Sequence, residues 1–176
     1  QLRRRWGTID EIVTDAIARA EPLTRNHQLR IDLADEMPVV QVDPRAVSEV
    51  VFTLVDNAAK YSPIGSSILV TAEPADTHYI EVAVESGGEG IPVALRERVF
   101  DKFFRATRDG AISDARRPKG SGMGLAVARG IVEAHGGLIW IADGTEGRAT
   151  RVAFTLPVAD PITEPKTFDS PEASAV

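Results

Sequence analysis

Two glycine-rich segments, each beside a predicted secondary-structure element, constrain this chain of 176 residues more than any other feature. The first segment, Ser86 to Pro92, follows a strand-like run, and the second, Lys119 to Leu125, precedes a long helical pattern. Glycines let the backbone approach a ligand closely, and the free N–H groups at the start of a helix favour anions. Together with Asn57 and Lys60 upstream, the two segments indicate a cradle for a nucleotide.

The composition favours one folded unit that does not bind nucleic acid. With 43% apolar residues the chain can bury a full core, and its net charge of -6 lacks the basic face that phosphate backbones require. The chain has no cysteine, which excludes disulfides, thiolate metal ligands and thiol nucleophiles. No apolar run approaches the roughly 20 residues of a membrane span. We expect a cytoplasmic domain that is monomeric in isolation.

Hydrophobic periodicity predicts three longer helices and about five strands. Thr8 and Glu11 have the spacing of a capping box at the start of a first helix, which continues until Pro22. Asp43 followed by Pro44 starts a second helix. The other predicted elements, in chain order, are strands at 29–33, 68–72 and 79–84, a short helix at 92–104, a helix at 122–135, and strands at 138–142 and 150–156. The strands at 68–72 and 79–84 are expected to pair as a hairpin. Because strict βαβ alternation is absent, we expect an α/β sandwich with the helices on one face of a mixed sheet.

Two polar segments fall outside these elements. Residues 105–120 have almost nothing to bury, and we expect them to form a mobile lid. After Pro157 the chain is rich in Pro, Glu, Ser and Thr, which predicts a disordered tail at 158–176. The folded domain is therefore expected at 8–157, and residues 1–7 are interpreted as the remainder of a linker from an upstream domain.

The end of the second helix carries the first candidate site residues. Residues three and four apart share a helix face, which places Asn57, Lys60 and Tyr61 on one side of the helix. An amide oxygen can bind a hard cation, and an ammonium group can meet phosphate oxygens. An exposed helix end before a turn would show similar residues, so this segment alone leaves both interpretations open.

Four segments resemble, in order and spacing, the N, G1, F and G2 boxes of the sensor histidine kinase catalytic domain. The four segments are 57–62, 86–92, 99–105 and 120–125. The resemblance covers about residues 8–157, and the phrases Asp56–Pro63 and Arg129–Gly137 look most like the potassium-responsive Kdp-type sensor kinases. This resemblance implies the Bergerat (GHKL) fold, an α/β sandwich with a mixed sheet of about five strands and three longer helices on one face.

The same resemblance implies that ATP and Mg²⁺ lie between the helices and the lid. Asn57 would hold Mg²⁺, Lys60 and Tyr61 would contact phosphates, and Arg105 would reach the terminal phosphate. Asn57, Lys60 and Arg105 are thus the implied catalytic residues. The other residues implied to bind the nucleotide are Ser86, Gly88, Gly90, Ile91, Phe103, Gly120, Ser121, Gly122, Met123, Gly124, Leu125 and Thr150. Three phenylalanines would either anchor the lid or pack in the core: Phe100, Phe103 and Phe104.

The implied activity is transfer of the ATP γ-phosphate to a histidine on a separate dimerisation domain, and from there to a response regulator. None of His27, His78 and His135 lies in a phosphoacceptor motif, so the acceptor is expected upstream and this chain alone is not expected to autophosphorylate. The implied setting is the cytoplasmic part of a membrane-bound sensor. A serine kinase of the anti-sigma type, with the same fold, would need no upstream acceptor domain.

Two positions depart from the family's pattern. Ser86 stands where the family usually has an aspartate that accepts the adenine amino group, and loss of that charged acceptor predicts ATP binding weakened about 10- to 150-fold. Neighbouring Glu85 is a poor substitute, because adjacent strand residues point to opposite faces, whereas Glu89 in the loop is left as an alternative acceptor. Thr53 stands one turn before Asn57, where the kinases commonly have asparagine and the gyrase-type ATPases a glutamate base, so water-driven ATP hydrolysis is expected to be slow or absent. These changes leave open an alternative, a degenerate pseudokinase-like module that acts by protein docking.

Overall fold

In a computed structural model, which describes residues 1–102, 104 and 123–158, three helices cover one face of a five-stranded mixed sheet. The helices are α1 (Ile9–Thr24), α2 (Pro44–Tyr61) and α3 (Gly124–Ala134). The strands are β1 (Arg5–Gly7), β2 (Gln28–Leu33), β3 (Val40–Val42), β4 (Ser67–Pro74), β5 (Tyr79–Ser86), β6 (Ile139–Asp143) and β7 (Thr150–Pro157). The α/β sandwich expected from the sequence is confirmed.

The sheet has the strand order β2-β4-β5-β7-β6. Strand β2 runs parallel to β4, and the other neighbours are antiparallel. Strands β4 and β5 form the predicted hairpin, whose turn is closed by the Asp76 carboxylate as it accepts hydrogen bonds from the N–H groups of His78 and Tyr79. Strand β5 pairs with β7 along its whole length, so the end of β5 lies beside the start of β7.

The core lies between the helices and the inner face of the sheet. Helix α2 contributes apolar residues at three- and four-residue spacing, which gives a continuous buried stripe. This helix packs against α1 on one side, α3 on the other, and β4 and β5 below. The buried sheet residues beneath the helices are Ile68, Val70, Ala72, Ile80, Val82, Val84, Phe154 and Leu156. Helix α2 is therefore fixed above the central strands β4 and β5.

The first helix differs from its prediction at both ends. Thr8 is its N-terminal cap residue, but its hydroxyl makes no capping bond, and Oγ1 is buried without a hydrogen-bond partner among the described residues, so the predicted capping box does not form. The helix also continues past Pro22 to Thr24, since a proline in the last turn removes only one backbone donor. The Thr24 hydroxyl bonds the Ala20 and Glu21 carbonyls there.

Two further differences concern short elements. The helix expected at 92–104 is replaced by two single 3₁₀ turns, Val93–Leu95 and Arg98–Phe100. The paired strands β1 and β3 were not predicted, because three residues are too few to show a hydrophobic period. The lid expected at 105–120 lies outside the described residues, as does the expected tail after Val158.

Asp43 joins the N-terminal residues to the start of α2. Its side chain caps the helix by accepting hydrogen bonds from the N–H groups of Arg45 and Ala46, and it also accepts one from Arg3 at 2.8 Å. The bond from Arg3, and then those from Ala46 and Arg45, lower the pKa of this carboxyl, although desolvation opposes the shift. The capping interaction is thus strongest when Asp43 is ionised.

Replacing Asp43 by alanine is expected to lower the free energy of unfolding at pH 7 by about 1 kcal/mol. A carboxyl whose pKa is lowered by folding stabilises the folded state above its unfolded pKa of about 4, and loses that effect as the pH falls through the folded value. Urea denaturation from pH 7 to pH 3 should therefore show the difference between the two proteins shrinking below about pH 4. The exposed Asp35→Ala serves as control, and equal unfolding free energies at pH 7 would contradict the prediction.

Candidate functional site

The predicted N box forms the last turns of α2. Asn57 is partly buried there, and its side-chain amide makes no hydrogen bond to the described residues. Lys60 is also partly buried, and its Nζ lies 2.8 Å from the Asp56 carboxylate one turn earlier. Tyr61, at the end of the helix, is half exposed. The sequence analysis gave Asp56 no role, yet this carboxylate fixes the ammonium group that is expected to meet phosphate.

The first glycine loop runs between the end of α2 and the start of β7. Gly88 and Gly90 have φ of 101° and 75°, in the left-handed region that other residues rarely adopt. A Cβ on Gly88 would lie 3.0 Å from the Tyr61 carbonyl oxygen, and one on Gly90 would lie 3.5 Å from the Ala149 carbonyl oxygen. Glycine is thus required at Gly88 both by its φ and by its close approach to α2.

The end of this loop is tied down by Ile91. Its side chain is partly buried and packs on the cluster formed by Val99, Phe100 and Ile141. Its carbonyl accepts a hydrogen bond of 2.9 Å from Nε of Arg96, and the same guanidinium pairs with Asp143 of β6. Arg96 was not among the predicted site residues, since nothing in the local sequence relates it to the loop.

Ser86 and Thr150 are direct cross-strand neighbours at the ends of β5 and β7. Both lie on the sheet face that carries the helices, because Ser86 has the same strand parity as the buried Val82 and Val84. Directly opposite residues have Cβ atoms about 4.5–5.5 Å apart. Two hydroxyl-bearing residues that the family resemblance implies to bind the nucleotide therefore lie side by side on the face below the helices.

The start of α3 approaches α2 about two turns before the helix end that Gly88 contacts. A Cβ on Gly124 would lie 3.2 Å from Cγ2 of Thr53, one turn before Asn57. Met123 precedes the helix, and Leu125 in its first turn packs against both apolar clusters of the core. The remaining predicted site residues lie outside the described part of the chain: Phe103, Arg105, Gly120, Ser121 and Gly122.

Two described phenylalanines of the F box pack in the core. Phe100 is buried with Val99 and Ile141, and Phe104 packs against that cluster together with Leu125 and Ile91. The same cluster thus joins the end of the first glycine loop to the first turn of α3.

Arg129 of α3 covers this aromatic cluster, with its guanidinium 5.6 Å from the Phe100 ring centre. Its hydrogen bonds to Glu133 and Glu97 raise the pKa of Arg129 above its ordinary value. Arg98 lies over Phe104 in a similar way, at 5.0 Å. Two permanently charged side chains therefore lie over the aromatic rings of this cluster.

Glu85 points away from the helices, as its place in the strand predicted. It is only 1% exposed, on the sheet face that the helices leave open. Its carboxylate accepts hydrogen bonds from the Thr145 backbone N–H and hydroxyl, and Arg151 Nη1 lies 3.2 Å away. These residues line part of a surface cavity of about 240 Å³. The sequence analysis missed this cluster, because Glu85 is some 60 residues away from Thr145 and Arg151 in the chain.

The histidines have structural contacts. His135 is buried, its Nε2 accepts a hydrogen bond from the Asp43 N–H, and its Nδ1 lies 2.8 Å from the Ile131 carbonyl oxygen. His27 lies near the end of α2, with Nε2 3.5 Å from the Ser62 carbonyl oxygen. None of the helices in the described ranges is both long and apolar enough to cross a bilayer.

Comparison with known proteins gives a consistent result. The family model described as "Histidine kinase-, DNA gyrase B-, and HSP90-like ATPase" matches residues 42–160. The adaptive-response sensory kinase SasA of Synechococcus sp. (strain JA-3-3Ab) is 37% identical over 131 residues, which are 74% of this chain and 33% of that protein. Sensor protein KdpD of Clostridium acetobutylicum is 33% identical over 157 residues, 89% of this chain and 17% of that protein. The chain thus spans a third or less of the length of these relatives.

A solved structure has the same arrangement of strands and helices. The mycobacterial sensor histidine kinase MprB superposes on this chain with a TM-score of 0.74 and 25% sequence identity. The superposition covers 88% of this chain and 97% of that chain.

Proposed function

The chain belongs to the histidine kinase-, DNA gyrase B- and HSP90-like ATPases, as a catalytic domain of the sensor histidine kinase type, and on that basis we propose that it binds Mg-ATP beside the C-terminal half of α2. The bound nucleotide donates its γ-phosphate to a histidine supplied by another domain. The fold is the Bergerat fold implied by the sequence resemblance.

One observation carries this proposal: the first glycine loop and the start of α3 both converge on the last turns of α2. Gly88 approaches Tyr61 at the end of the helix, and Gly124 approaches Thr53 two turns earlier. Asn57 lies between these two contacts, with an amide that no described residue engages. The glycine loop, the start of α3 and an amide able to bind a cation therefore meet along the same helix, which supports a phosphate site there.

Each residue of the proposed site has a separate role, which follows from its position. The Asn57 amide oxygen fits a hard cation, and Mg²⁺, when bound, neutralises phosphate charge. Lys60, held by Asp56, supplies a positive charge at the phosphates, and Ser86 with Thr150 faces the base. Arg105 and Gly120 to Gly122 complete the phosphate contacts by the family pattern. Catalysis then comes from positioning and charge neutralisation.

Replacing Asn57 by alanine is expected to weaken Mg-ATP binding by about tenfold, and to remove most of its dependence on Mg²⁺. The reason is that the substitution deletes the one side-chain oxygen assigned to the cation. Calorimetric titration of ATP with Mg²⁺ and with EDTA measures both effects. The control Asn26→Ala, in the exposed turn after α1, should behave like the unsubstituted chain. A metal dependence that survives in Asn57→Ala would remove Asn57 from the site.

The acceptor and the partners follow from the sensor kinase family. We place a dimerisation and phosphoacceptor domain upstream of β1 and a response regulator as the final acceptor, in the cytoplasmic part of a membrane-bound sensor. The match to KdpD at 33% identity supports a relationship to the Kdp-type kinases. SasA, which is not a Kdp-type kinase by its name, matches at 37% identity. Mixing this chain with a separately purified phosphoacceptor domain and labelled ATP tests the transfer.

A second candidate function is a degenerate module that keeps the fold and acts by docking. Ser86 and Thr53 favour it, since both departures lie beside the proposed site, next to Thr150 and Gly124 respectively. A ligand that binds only the folded state raises the melting temperature. If Mg-ATP at millimolar concentration leaves the melting temperature unchanged, the degenerate function replaces the kinase.

A further inference from the structure

The Glu85 cluster is a buried charged group that the proposed nucleotide contacts do not use. We define it as Glu85, Thr145, Arg148 and Arg151. The carboxylate of Glu85 is bonded by the Thr145 hydroxyl at 2.9 Å and 3.1 Å and by the Thr145 backbone N–H. Arg151 Nη1 lies 3.2 Å from one carboxylate oxygen, and Arg148 Nε lies 3.8 Å from the other. Glu85 is thus the common partner of the other three residues.

Two of the partners of Glu85, Thr145 and Arg148, belong to the turn between β6 and β7, and the third, Arg151, lies in β7. Within this turn Glu146 and Gly147 have positive φ of 51° and 81°, and Gly144 lies against the backbone of Arg148. The φ angles and the contact of Gly144 with Arg148 all lie within the turn, so they fix its shape but not its attachment to the sheet. Its attachment to the sheet depends on Thr145 and Arg148, which reach Glu85 and Ser67 of the neighbouring strands.

The turn leads directly into the proposed nucleotide site. Ala149, which follows Arg148, donates its N–H to the Ser86 carbonyl at 2.9 Å. A Cβ on Gly90 would lie 3.5 Å from the Ala149 carbonyl oxygen, so Ala149 also lies against the first glycine loop. Thr150, the neighbour of Ser86, comes next in the chain. A displacement of the turn would therefore move one wall of the site.

Both arginines of the cluster are largely buried and therefore require a negative charge beside them. The side chain of Arg148 is only 10% exposed, and its Nε is buried without a hydrogen bond. The side chain of Arg151 is 19% exposed. A buried cation is stable only beside a compensating charge, and the nearly inaccessible Glu85 faces both guanidinium groups.

We propose that Glu85 is a positioning residue, whose carboxylate holds the turn at 144–149 so that Ala149 and Thr150 form the wall of the nucleotide site beside Ser86. This inference rests on the proposed function for its consequence on binding. Its structural part, the placement of Ala149, stands without any nucleotide.

The test combines hydrogen exchange at the Ala149 amide with calorimetric titration of Mg-ATP. In Glu85→Gln, exchange at Ala149 is expected to rise at least about tenfold, because the anchored turn opens more often. Mg-ATP affinity is expected to fall about 2- to 30-fold. Glu85→Asp, which keeps the charge on a shorter side chain, should recover part of both effects.

Glu81→Gln is the matched control. Glu81 lies on the same face of the same strand and bonds the same Arg151, but makes no bond to Thr145. Exchange at Ala149 should change by less than about threefold in this variant. If Glu85→Gln fails to fold, Thr145→Ala, in an exposed turn residue, removes two of the bonds to Glu85 and should give a smaller rise in exchange.

The outcomes separate the two proposals. Unchanged exchange at Ala149 in both Glu85→Gln and Thr145→Ala overturns the positioning role, whether or not ATP binds. Raised exchange with unchanged Mg-ATP affinity overturns the link from the turn to the nucleotide site. Raised exchange in a chain that never binds Mg-ATP supports the placement of Ala149 by Glu85 and overturns the proposed function instead.

Discussion

Replacing Ser86 by aspartate is expected to tighten Mg-ATP binding by about 10- to 150-fold. The side chain at this position lies on the face below the helices, directly opposite Thr150, where the proposed site holds the base. A carboxylate reaches further than a hydroxyl and accepts a charge-assisted hydrogen bond from the adenine amino group, which is worth roughly 1.5–3 kcal/mol. Calorimetric titration of both proteins under identical conditions measures the change.

Two further results decide what Ser86 does in the unsubstituted chain. Ser86→Ala should bind Mg-ATP more weakly than the unsubstituted chain if the hydroxyl already meets the base, directly or through water. Binding only in Ser86→Asp would identify Ser86 as the cause of a lost activity and favour the degenerate module. No binding in either protein would contradict the placement of the nucleotide beside Ser86.

A Cβ at Gly137 is expected to have the largest effect on stability, with Gly137→Ala lowering the free energy of unfolding by about 3 kcal/mol or more. This residue follows α3 and lies against β7, where an added Cβ would overlap the Thr155 carbonyl oxygen and lie 2.9 Å from its carbonyl carbon. Neither side can yield easily, since Thr155 also bonds Leu138 through its N–H and its hydroxyl. Urea denaturation measures the loss.

Gly130→Ala is the control for this substitution. Gly130 lies within α3 and has no atom within 4 Å of an added Cβ, so alanine should be neutral or should stabilise by up to about 1 kcal/mol. Equal unfolding free energies for Gly137→Ala and Gly130→Ala would contradict the close packing of Gly137 against Thr155 of β7.

The fold could be predicted because its major elements carry their own local pattern. Asp43-Pro44 marks the start of α2 at the correct residue, and the alternating apolar residues of β4 and β5 predict the hairpin within two residues. The opposite orientation of Glu85 and Ser86 also follows from strand parity alone. These features depend on neighbouring residues, which a sequence displays directly.

Most of the features that were missed depend on contacts between residues distant in the sequence. Strand β1 exists because it pairs with β3, about 35 residues away, and three residues have no pattern of their own. The pairing of Lys60 with Asp56 has helical spacing and could have been predicted from it. The anchoring of the 144–149 turn by Glu85 requires knowledge of which strands are neighbours. The bond from Arg96 to Ile91 is local, but it spans five residues of a loop that has no regular spacing. Site roles for Asn57, Ser86 and Thr150 stay predictions until nucleotide binding is measured.

The pairing of β5 with β7 affects how this chain is made. About 60 residues separate the two strands, so at 5–20 residues per second a ribosome needs about 3–12 s after completing β5 to deliver β7. During this interval the hairpin of β4 and β5 has one unpaired edge, formed largely by apolar residues. Nascent chains stalled before residue 150 should therefore require chaperone protection that the finished domain does not need.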